Sequence, residues 1–182
     1  GRKALHVVSA WSARNRLCLG QVACAEKSNE ITAIPKLLRV LALEGALVTI
    51  DAMGCQKEIA RTILGRKADY LLAVKGNQER LHDDIRAYAV AALEAGYEGI
   101  DHTFHETSGK GHGRIEYRCC RVFPDLSGIR DRADWPGLAC IVEVTTDRTI
   151  GGKGSSETRY YISSRLLSAR QALEASRGHW GV

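Results

Sequence analysis

Residues 46–51 read Ala-Leu-Val-Thr-Ile-Asp, a short apolar run that ends directly in a carboxylate. An uninterrupted apolar run of this length is typical of a strand that is buried on both faces, as in a parallel sheet. Residues 70–74 (YLLAV) form a second run of this kind, and residues 56–64 between them have helical spacing. The sequence therefore predicts two buried strands joined by a helix, with Asp51 immediately after the first strand.

The segment before this unit contributes two further strands and a helix. Residues 3–11 (KALHVVSAW) and 17–25 (LCLGQVACA) alternate in part and flank a polar turn, which predicts an antiparallel hairpin. Residues 29–43 have helical spacing, with which Pro35 is compatible only in the first turn. Strand, helix, strand, helix and strand in this order predict a right-handed crossover unit. Asp51 then lies at the carboxyl edge of the sheet, where α/β proteins usually carry their chemistry.

The remainder of the chain becomes rich in strands before it ends in a helix. Residues 78–95 have helical spacing, and the alternating patterns that follow are separated by glycine-rich turns. The predicted strands lie within residues 102–123, 137–144 and 158–163. Ser168 is a suitable N-cap for a last helix over residues 169–180. We therefore expect a β-rich insertion before the last helix.

Composition and charge limit the classes of protein to which the chain can belong. It has 182 residues, 45% of them hydrophobic, which is enough to bury the core of one domain. Its 26 Lys and Arg residues exceed its 21 Asp and Glu residues, so it should attract polyanions, although the excess is modest for a nucleic-acid binder. The sequence contains no secretory signal and no apolar stretch of about 20 residues, so we expect no contact with a membrane.

The six cysteines show no metal-ligand spacing. They form no CxxC pair, and the adjacent Cys119 and Cys120 do not fit a disulfide framework. This usage is typical of a reducing compartment and predicts a cytoplasmic protein. The chain begins without Met, and we expect it to be an internal segment of a longer protein.

Asp51 is the first candidate for a catalytic or metal-binding residue. Two-metal phosphoryl-transfer enzymes need several carboxylates that converge from different elements, and the small neighbours Ala52 and Gly54 leave room for a metal and a phosphate. The alternative is that Asp51 only caps the turn or helix that follows it. A single carboxylate does not make a metal site.

Two segments are candidates for phosphate contacts. In residues 108–114 glycine alternates with polar or basic residues, so the backbone can approach a phosphate closely. The side-chain donors in this segment are Lys110, His112 and Arg114. The alternative interpretation of this segment is a solvated hairpin turn. Lys75 and Asn77 follow the second buried strand near the expected position of Asp51, where Lys75 could contact DNA and Asn77 could equally cap a helix.

Several strings closely resemble the transposases of insertion sequences, specifically the H-repeat-associated group with a DDE, RNase H-like catalytic domain. These strings are KALHVVSAW, EKSNEITAIPKLL, ALVTIDAMGCQKEIA, DYLLAVKGNQ, GHGRIEYR, ETRYYISS and RGHWGV. The resemblance implies an α/β fold, with an RNase H-like mixed sheet flanked by helices and a β-rich insertion before the last helix. It divides the chain into a partial catalytic core that lacks its first strand (1–98), the insertion (99–164) and the start of the C-terminal core helix (165–182).

The resemblance also implies a set of functional residues. Of the three catalytic carboxylates of the family, the second maps onto Asp51, whereas the first would precede Gly1 and the third would follow Val182. His179 corresponds to the position four residues before the third carboxylate, within reach of phosphate. The implied cofactor is Mg²⁺ (or Mn²⁺), and the implied partner is DNA, both element ends and target.

The reaction implied for the longer protein is metal-dependent DNA cleavage and strand transfer, and we expect this segment alone to be inactive. A homodimer is expected if the missing first strand leaves backbone groups open for pairing. One alternative is a noncatalytic DNA-binding remnant of a decayed element. A small-molecule α/β enzyme is disfavoured because the sequence has no GxGxxG motif, P-loop or nucleophile elbow, and we expect no small-molecule substrate.

Overall fold

The computed structural model describes residues 6–24, 30–111 and 114–180, with His179 and Trp180 described by their backbone only. In chain order, the strands are β1 (His6–Ser12), β2 (Leu17–Cys24), β3 (Leu47–Ile50), β4 (Asp69–Val74), β5 (Thr103–Gly111), β6 (Arg114–Phe123), β7 (Cys140–Ile150) and β8 (Lys153–Ser163). The α-helices are α1 (Glu30–Val40), α2 (Lys57–Gly65), α3 (Glu79–Glu94) and α4 (Ala169–Trp180). The predicted strand, helix and strand around Asp51 are confirmed. The expectation that both strands are buried holds for β4, whereas all four residues of β3 are only half-buried, because β3 lies at the edge of the described sheet.

A mixed sheet of six strands positions the site. Its order is β3-β4-β8-β7-β6-β5, with β3 and β4 parallel and the other neighbours antiparallel. One face is covered by α2 and α3, whose Ile59, Ile63 and Ile85 share a core with Tyr70 and Ile162. The other face is covered by α4, whose buried apolar residues share a core with residues of β4, β6, β7 and β8. The predicted mixed α/β sheet flanked by helices is confirmed.

The hairpin of β1 and β2 is a second, two-stranded sheet within the described residues. Its inward side chains, among them Val8, Ala10 and Val22, pack against the core that contains α1. Alternate side chains on its other face, including Trp11, are exposed. The hairpin was predicted, but among the described residues it does not pair with β3, so the crossover unit in one sheet consists of β3, α2 and β4.

Helix α1 differs from the prediction in the position of its proline. Pro35 lies inside the helix, beyond its first turn, and is buried together with Ile34 and Leu37. A proline in a helix interior removes one backbone hydrogen bond. Burial of its ring in the same core offsets part of this loss.

The four strands from Thr103 to Ser163 extend the sheet that β3 and β4 begin. Strand β8 pairs directly with β4, from Leu71 opposite Ser163 to Val74 opposite Tyr160. The strands β7 and β8 are longer than predicted, because their polar stretches continue the same antiparallel ladder as far as Ile150 and Lys153. The division of the chain at residues 98 and 164 stays a prediction, and the structure adds that this segment belongs to the same sheet.

A polar network joins the amino-terminal end of β4 to the segment after β8. Arg165 Nε donates to Asp69 Oδ2 at 2.7 Å, and Ser164 Oγ donates to Asp69 Oδ1 at 2.9 Å. The Tyr70 backbone N–H donates to Ser164 Oγ at 3.0 Å. These bonds hold the start of β4, so its carboxyl end has a fixed position beside β3.

Two expectations about cysteines and membranes can be compared with the described residues. All six cysteines are free thiols. Within the described ranges, no helix is long and apolar enough to cross a membrane.

Candidate functional site

Asp51 and Lys75 follow the two parallel strands β3 and β4 and line one cavity of about 210 Å³. We call this cavity the Asp51 cleft. Its lining includes Asp51, Ala52, Val74, Lys75, Arg159 and Tyr161. The cleft lies at the carboxyl ends of parallel strands, as the sequence predicted, and it brings a carboxylate together with two cationic side chains.

A short 3-10 turn over Ala52–Gly54 follows Asp51 and fixes its carboxylate. The Gly54 backbone N–H lies 3.1 Å from the Asp51 carbonyl oxygen and 3.4 Å from Oδ1, and both oxygens accept from it. The side chain is half-buried. Asp51 therefore caps the turn, as the alternative interpretation proposed, and at the same time lines the cleft.

Gly54 is required where it lies because two isoleucines approach it closely. A Cβ at this position would lie 2.3 Å from Ile50 Cγ2 and 3.1 Å from Ile34 Cδ1. Ile50 is the last residue of β3 and Ile34 belongs to α1. The absence of a side chain at residue 54 thus allows α1 to pack directly on the turn that holds Asp51.

A second turn, Gly76–Gln78, follows Lys75 and is bonded to the first turn. Asn77 Nδ2 donates to the Ala52 carbonyl oxygen at 2.6 Å, and Gln78 Nε2 donates to the Cys55 carbonyl oxygen at 2.9 Å. The Asn77 amide therefore holds the Asp51 turn instead of capping a helix. Sequence reasoning missed this role of Gln78, although the sequence shows an Asn-Gln pair that begins three residues after the end of β4.

The other predicted phosphate contacts lie away from the cleft or outside the described residues. Lys110 lies opposite Ile115 in the ladder of β5 and β6, whereas Arg114 lies opposite Gly111, so the two side chains project from opposite faces of the sheet. Strand β5 and strand β3 form opposite edges of the six-stranded sheet. His112 and the side chain of His179 lie outside the described residues. The structure thus brings Lys75 to Asp51 but not Lys110.

The described residues do not by themselves fit a two-metal centre. Within them, no group of three His, Cys, Asp or Glu side chains lies close enough to hold a metal ion. Cys55 is close in sequence to Asp51, but its side chain is fully buried, and burial raises the pKa of the thiol to about 12. The thiol therefore stays protonated near neutral pH, and Asp51 is the single acidic side chain among the residues that line the cleft.

A second cavity adjoins the cleft, and sequence reasoning missed all of its lining residues except Arg114. This arginine groove has a volume of about 360 Å³. Its lining includes Arg114, Arg118, Arg148, Arg159, Tyr161 and Arg177. Alternation in β6 could have placed Arg114 and Arg118 on one face, but the contributions of β7, β8 and α4 depend on strand pairing that the sequence does not show.

Comparison with known proteins identifies the family. The family model described as transposase DDE domain matches residues 1–182. A protein of Escherichia coli O157:H7 named "Putative transposase YncI" is 43% identical over 183 residues, which cover 97% of this chain and 46% of that protein. The Escherichia coli K12 protein named "H repeat-associated putative transposase YhhI" is 41% identical over 188 residues, which cover 100% of this chain and 48% of that protein.

A protein of Xanthobacter autotrophicus, named "Uncharacterized protein in dhlA 3'region", is 42% identical over 162 residues, which cover 89% of this chain and 54% of that protein. The chain thus spans about half the length of the curated relatives that it matches. The predicted resemblance to H-repeat-associated transposases is confirmed by these matches. With a family model that matches all 182 residues and a carboxylate at the predicted sheet edge, the chain belongs to the transposase DDE domain family.

Proposed function

We propose that the protein containing this chain is a transposase that cleaves DNA at the ends of an insertion sequence and joins those ends to target DNA. Asp51 is proposed as a catalytic residue and as one carboxylate ligand of Mg²⁺ (or Mn²⁺). The other ligands would come from outside the described residues. When bound, the metal would activate the attacking oxygen and neutralise the leaving one.

The observation that carries this proposal is the construction of the Asp51 cleft. The carboxylate follows a strand at the carboxyl edge of the sheet, and the turn behind it is held by Gly54 and Asn77. A carboxylate that must meet a metal and a phosphate at fixed distances needs such a rigid support. The family match supports the same assignment.

Lys75 is proposed as the phosphate contact inside the cleft. Its side chain is exposed and lines the same cavity as Asp51. An ammonium group in this position would attract a DNA phosphate towards the carboxylate. Four further residues, farther from Asp51 along the chain, stay predicted phosphate contacts: Lys110, His112, Arg114 and His179. Asn77, which was also predicted to contact DNA, is proposed to act through the turn that it holds.

The test is a cleavage and strand-transfer assay on element-end DNA with Mg²⁺ or Mn²⁺, performed with the longer protein that includes this chain. Asp51→Asn should lower strand transfer at least about a thousandfold, because a catalytic carboxylate would be lost. Asp101→Asn, on an exposed loop after α3, is the matched control and should keep wild-type activity. Activity retained in Asp51→Asn would contradict the proposal, whereas DNA binding without any joining in the wild type would favour a noncatalytic remnant.

Homodimerisation and a cytoplasmic location also stay predictions. Within the described residues β3 is an edge strand of the six-stranded sheet, and edge strands can pair with another copy of a chain. Light scattering should then give twice the mass of one chain at micromolar concentration, and a monomer at that concentration would contradict the dimer. DNA as the substrate and six free thiols fit a cytoplasmic location.

A further inference from the structure

The face of the sheet that carries α4 changes from apolar to basic along its length. Under α4 this face presents Cys120, Val142 and Val144 to the helix. Farther along the same strands, the alternation that buries Cys120 places Arg118 and Arg114 on the same face. The result is the arginine groove, a polar continuation of an apolar helix-packing surface.

Each side of the groove is formed by a different element. Strand β6 contributes Arg114 and Arg118, β7 contributes Arg148, β8 contributes Arg159, and α4 contributes Arg177. Five residues of one type from four elements lie around a single cavity. Because arginine is charged at all ordinary pH values and presents several donors in a planar fork, such a surface suits phosphate oxygens.

The carboxylates near the groove neutralise only part of its positive charge. Glu116 accepts from Arg114 and Arg148, with both N–O distances at 2.7 Å, and its other oxygen lies 2.7 Å from an Arg118 nitrogen. Glu157 accepts from Arg159 at 2.8 Å. Among the residues that the structure describes, two carboxylates pair with these five arginines, so the arginines outnumber these acidic partners by three.

The crowding of like charges is visible at Arg118. Burial lowers the pKa of this guanidinium; Glu116 opposes the effect, whereas the charges of Arg177, Arg148 and Arg114 lower it further. An incoming anion would relieve this repulsion. In the described structure, Arg118 pairs with Glu116, and that one carboxylate is shared among three arginines.

The groove and the Asp51 cleft lie next to each other and share part of their lining. Arg159 and Tyr161 line both cavities, and Tyr161 lies opposite Ala73, which is on the strand that ends at the cleft. The Cα atoms of Arg114 and Arg118 are four residues apart along β6, or about 13 Å, but their guanidinium groups meet that of Arg148 on the single carboxylate of Glu116. Arg159 and Arg177 carry positive charge beyond this cluster, so the groove offers more than one position for a phosphate. A DNA strand, with one phosphate per about 3.4 Å of helix axis, can occupy several such positions at once.

We propose that the arginine groove binds the phosphate backbone of DNA and guides one strand towards the Asp51 cleft. This inference rests on the proposed function, because it takes the chemistry at Asp51 as the reason for DNA to be held there. Contacts to phosphates do not depend on base identity, so the contribution of the groove to binding should be the same for different sequences. Arg159, at the junction, is the contact nearest to the reacting end.

The test is the affinity of this chain for a labelled DNA duplex, measured by fluorescence anisotropy at several salt concentrations. Arg148→Gln combined with Arg177→Gln removes two charges while leaving Arg114 and Arg118 on Glu116. The matched control is Arg61→Gln combined with Lys67→Gln, two exposed cations, one on α2 and one just after it, that do not line the groove. Thermal unfolding of both variants verifies that the fold is kept.

The groove variant should bind at least about tenfold more weakly near 0.1 M salt, and its plot of log affinity against log salt should be shallower by about two. The control should keep the wild-type affinity. Equal losses in both variants, no loss in either, or no binding by the wild-type chain would overturn the proposal. At least tenfold tighter binding to an RNA duplex of the same sequence would overturn the assignment to DNA.

The results of this experiment and of the strand-transfer assay distinguish a failure of the groove proposal from a failure of the proposed function. Asp51→Asn should bind the duplex with wild-type affinity, since Asp51 is not part of the groove. If the groove variant binds normally while Asp51→Asn abolishes joining, the groove proposal fails and the proposed function stands. If the groove variant binds weakly while Asp51→Asn still joins DNA, the proposed function fails.

Discussion

The Asp51 cleft and the arginine groove share two lining residues but are built in different ways. The cleft depends on two short turns, one after each of the two parallel strands. The side chains of Asn77 and Gln78 in the second turn donate to the carbonyl oxygens of Ala52 and Cys55 and so hold the first turn. The groove depends on side chains from three antiparallel strands and one helix. The position of Asp51 in the cleft is thus fixed by a few local contacts, so one substitution can displace it. The positive charge of the groove is spread over several arginines, so one substitution removes only part of it.

Gly54→Ala should have the largest effect that distinguishes the two regions. The added Cβ would meet Ile50 at 2.3 Å, and relief of this contact must move either the turn or the end of β3. We expect a loss of about 1–3 kcal/mol in the free energy of unfolding, measured by urea denaturation, together with loss of strand transfer in the longer protein.

The control for this change is Gly65→Ala at the end of α2. A Cβ there meets no atom within 4 Å, so the free energy of unfolding should stay the same or rise slightly. Folded Gly54→Ala should still bind duplex DNA, because the groove does not include the turn. Full activity in Gly54→Ala would contradict the claim that this turn positions Asp51.

Asn77→Ala should give the next largest effect. It removes the bond from Asn77 Nδ2 to the Ala52 carbonyl oxygen, which should cost about 0.5–1.5 kcal/mol of stability. Because the turn carries Asp51, the rate of strand transfer should fall while duplex affinity stays unchanged. Asn15→Ala, on the hairpin turn, should change neither quantity. A fall in duplex affinity for Asn77→Ala would instead make Asn77 a direct DNA contact, as the sequence predicted.

The smallest expected effect is on the pH dependence of the free energy of unfolding, through Glu116 beside the groove. Burial alone would raise the pKa of Glu116, but the bonds from Arg148 and Arg114 and the charge of Arg118 lower it. A carboxylate with a lowered folded-state pKa stabilises the fold above its unfolded value of about 4.3, and this stability is lost as the pH falls through the folded value. The free energy of unfolding should therefore decrease below about pH 4.

Comparing Glu116→Gln with the wild type over that range isolates the contribution of this carboxylate. The variant should show a shallower decrease in the free energy of unfolding between about pH 4 and pH 2. Identical slopes in the two proteins would contradict the electrostatic account of the groove.

The difference between the two regions also explains how much the sequence could predict. Asp51 was placed correctly because an apolar run followed by a carboxylate depends only on neighbouring residues, although β3 proved to be a half-buried edge strand of the described sheet. The groove was missed because Arg148 and Arg177 become neighbours of Arg118 only through strand register and helix packing. Lys110 and Arg114 were grouped by proximity in sequence, but the ladder separates them to opposite faces. Pro35 was expected near a helix start, and burial of its ring accommodates it in the interior.

The central claim is that Asp51 performs chemistry on DNA that other residues hold. It is tested most directly by measuring strand transfer and duplex affinity on the same preparation of Asp51→Asn, within the longer protein. We expect strand transfer to fall at least about a thousandfold while the affinity stays within about twofold of the wild type. Strand transfer at the wild-type rate would contradict the claim.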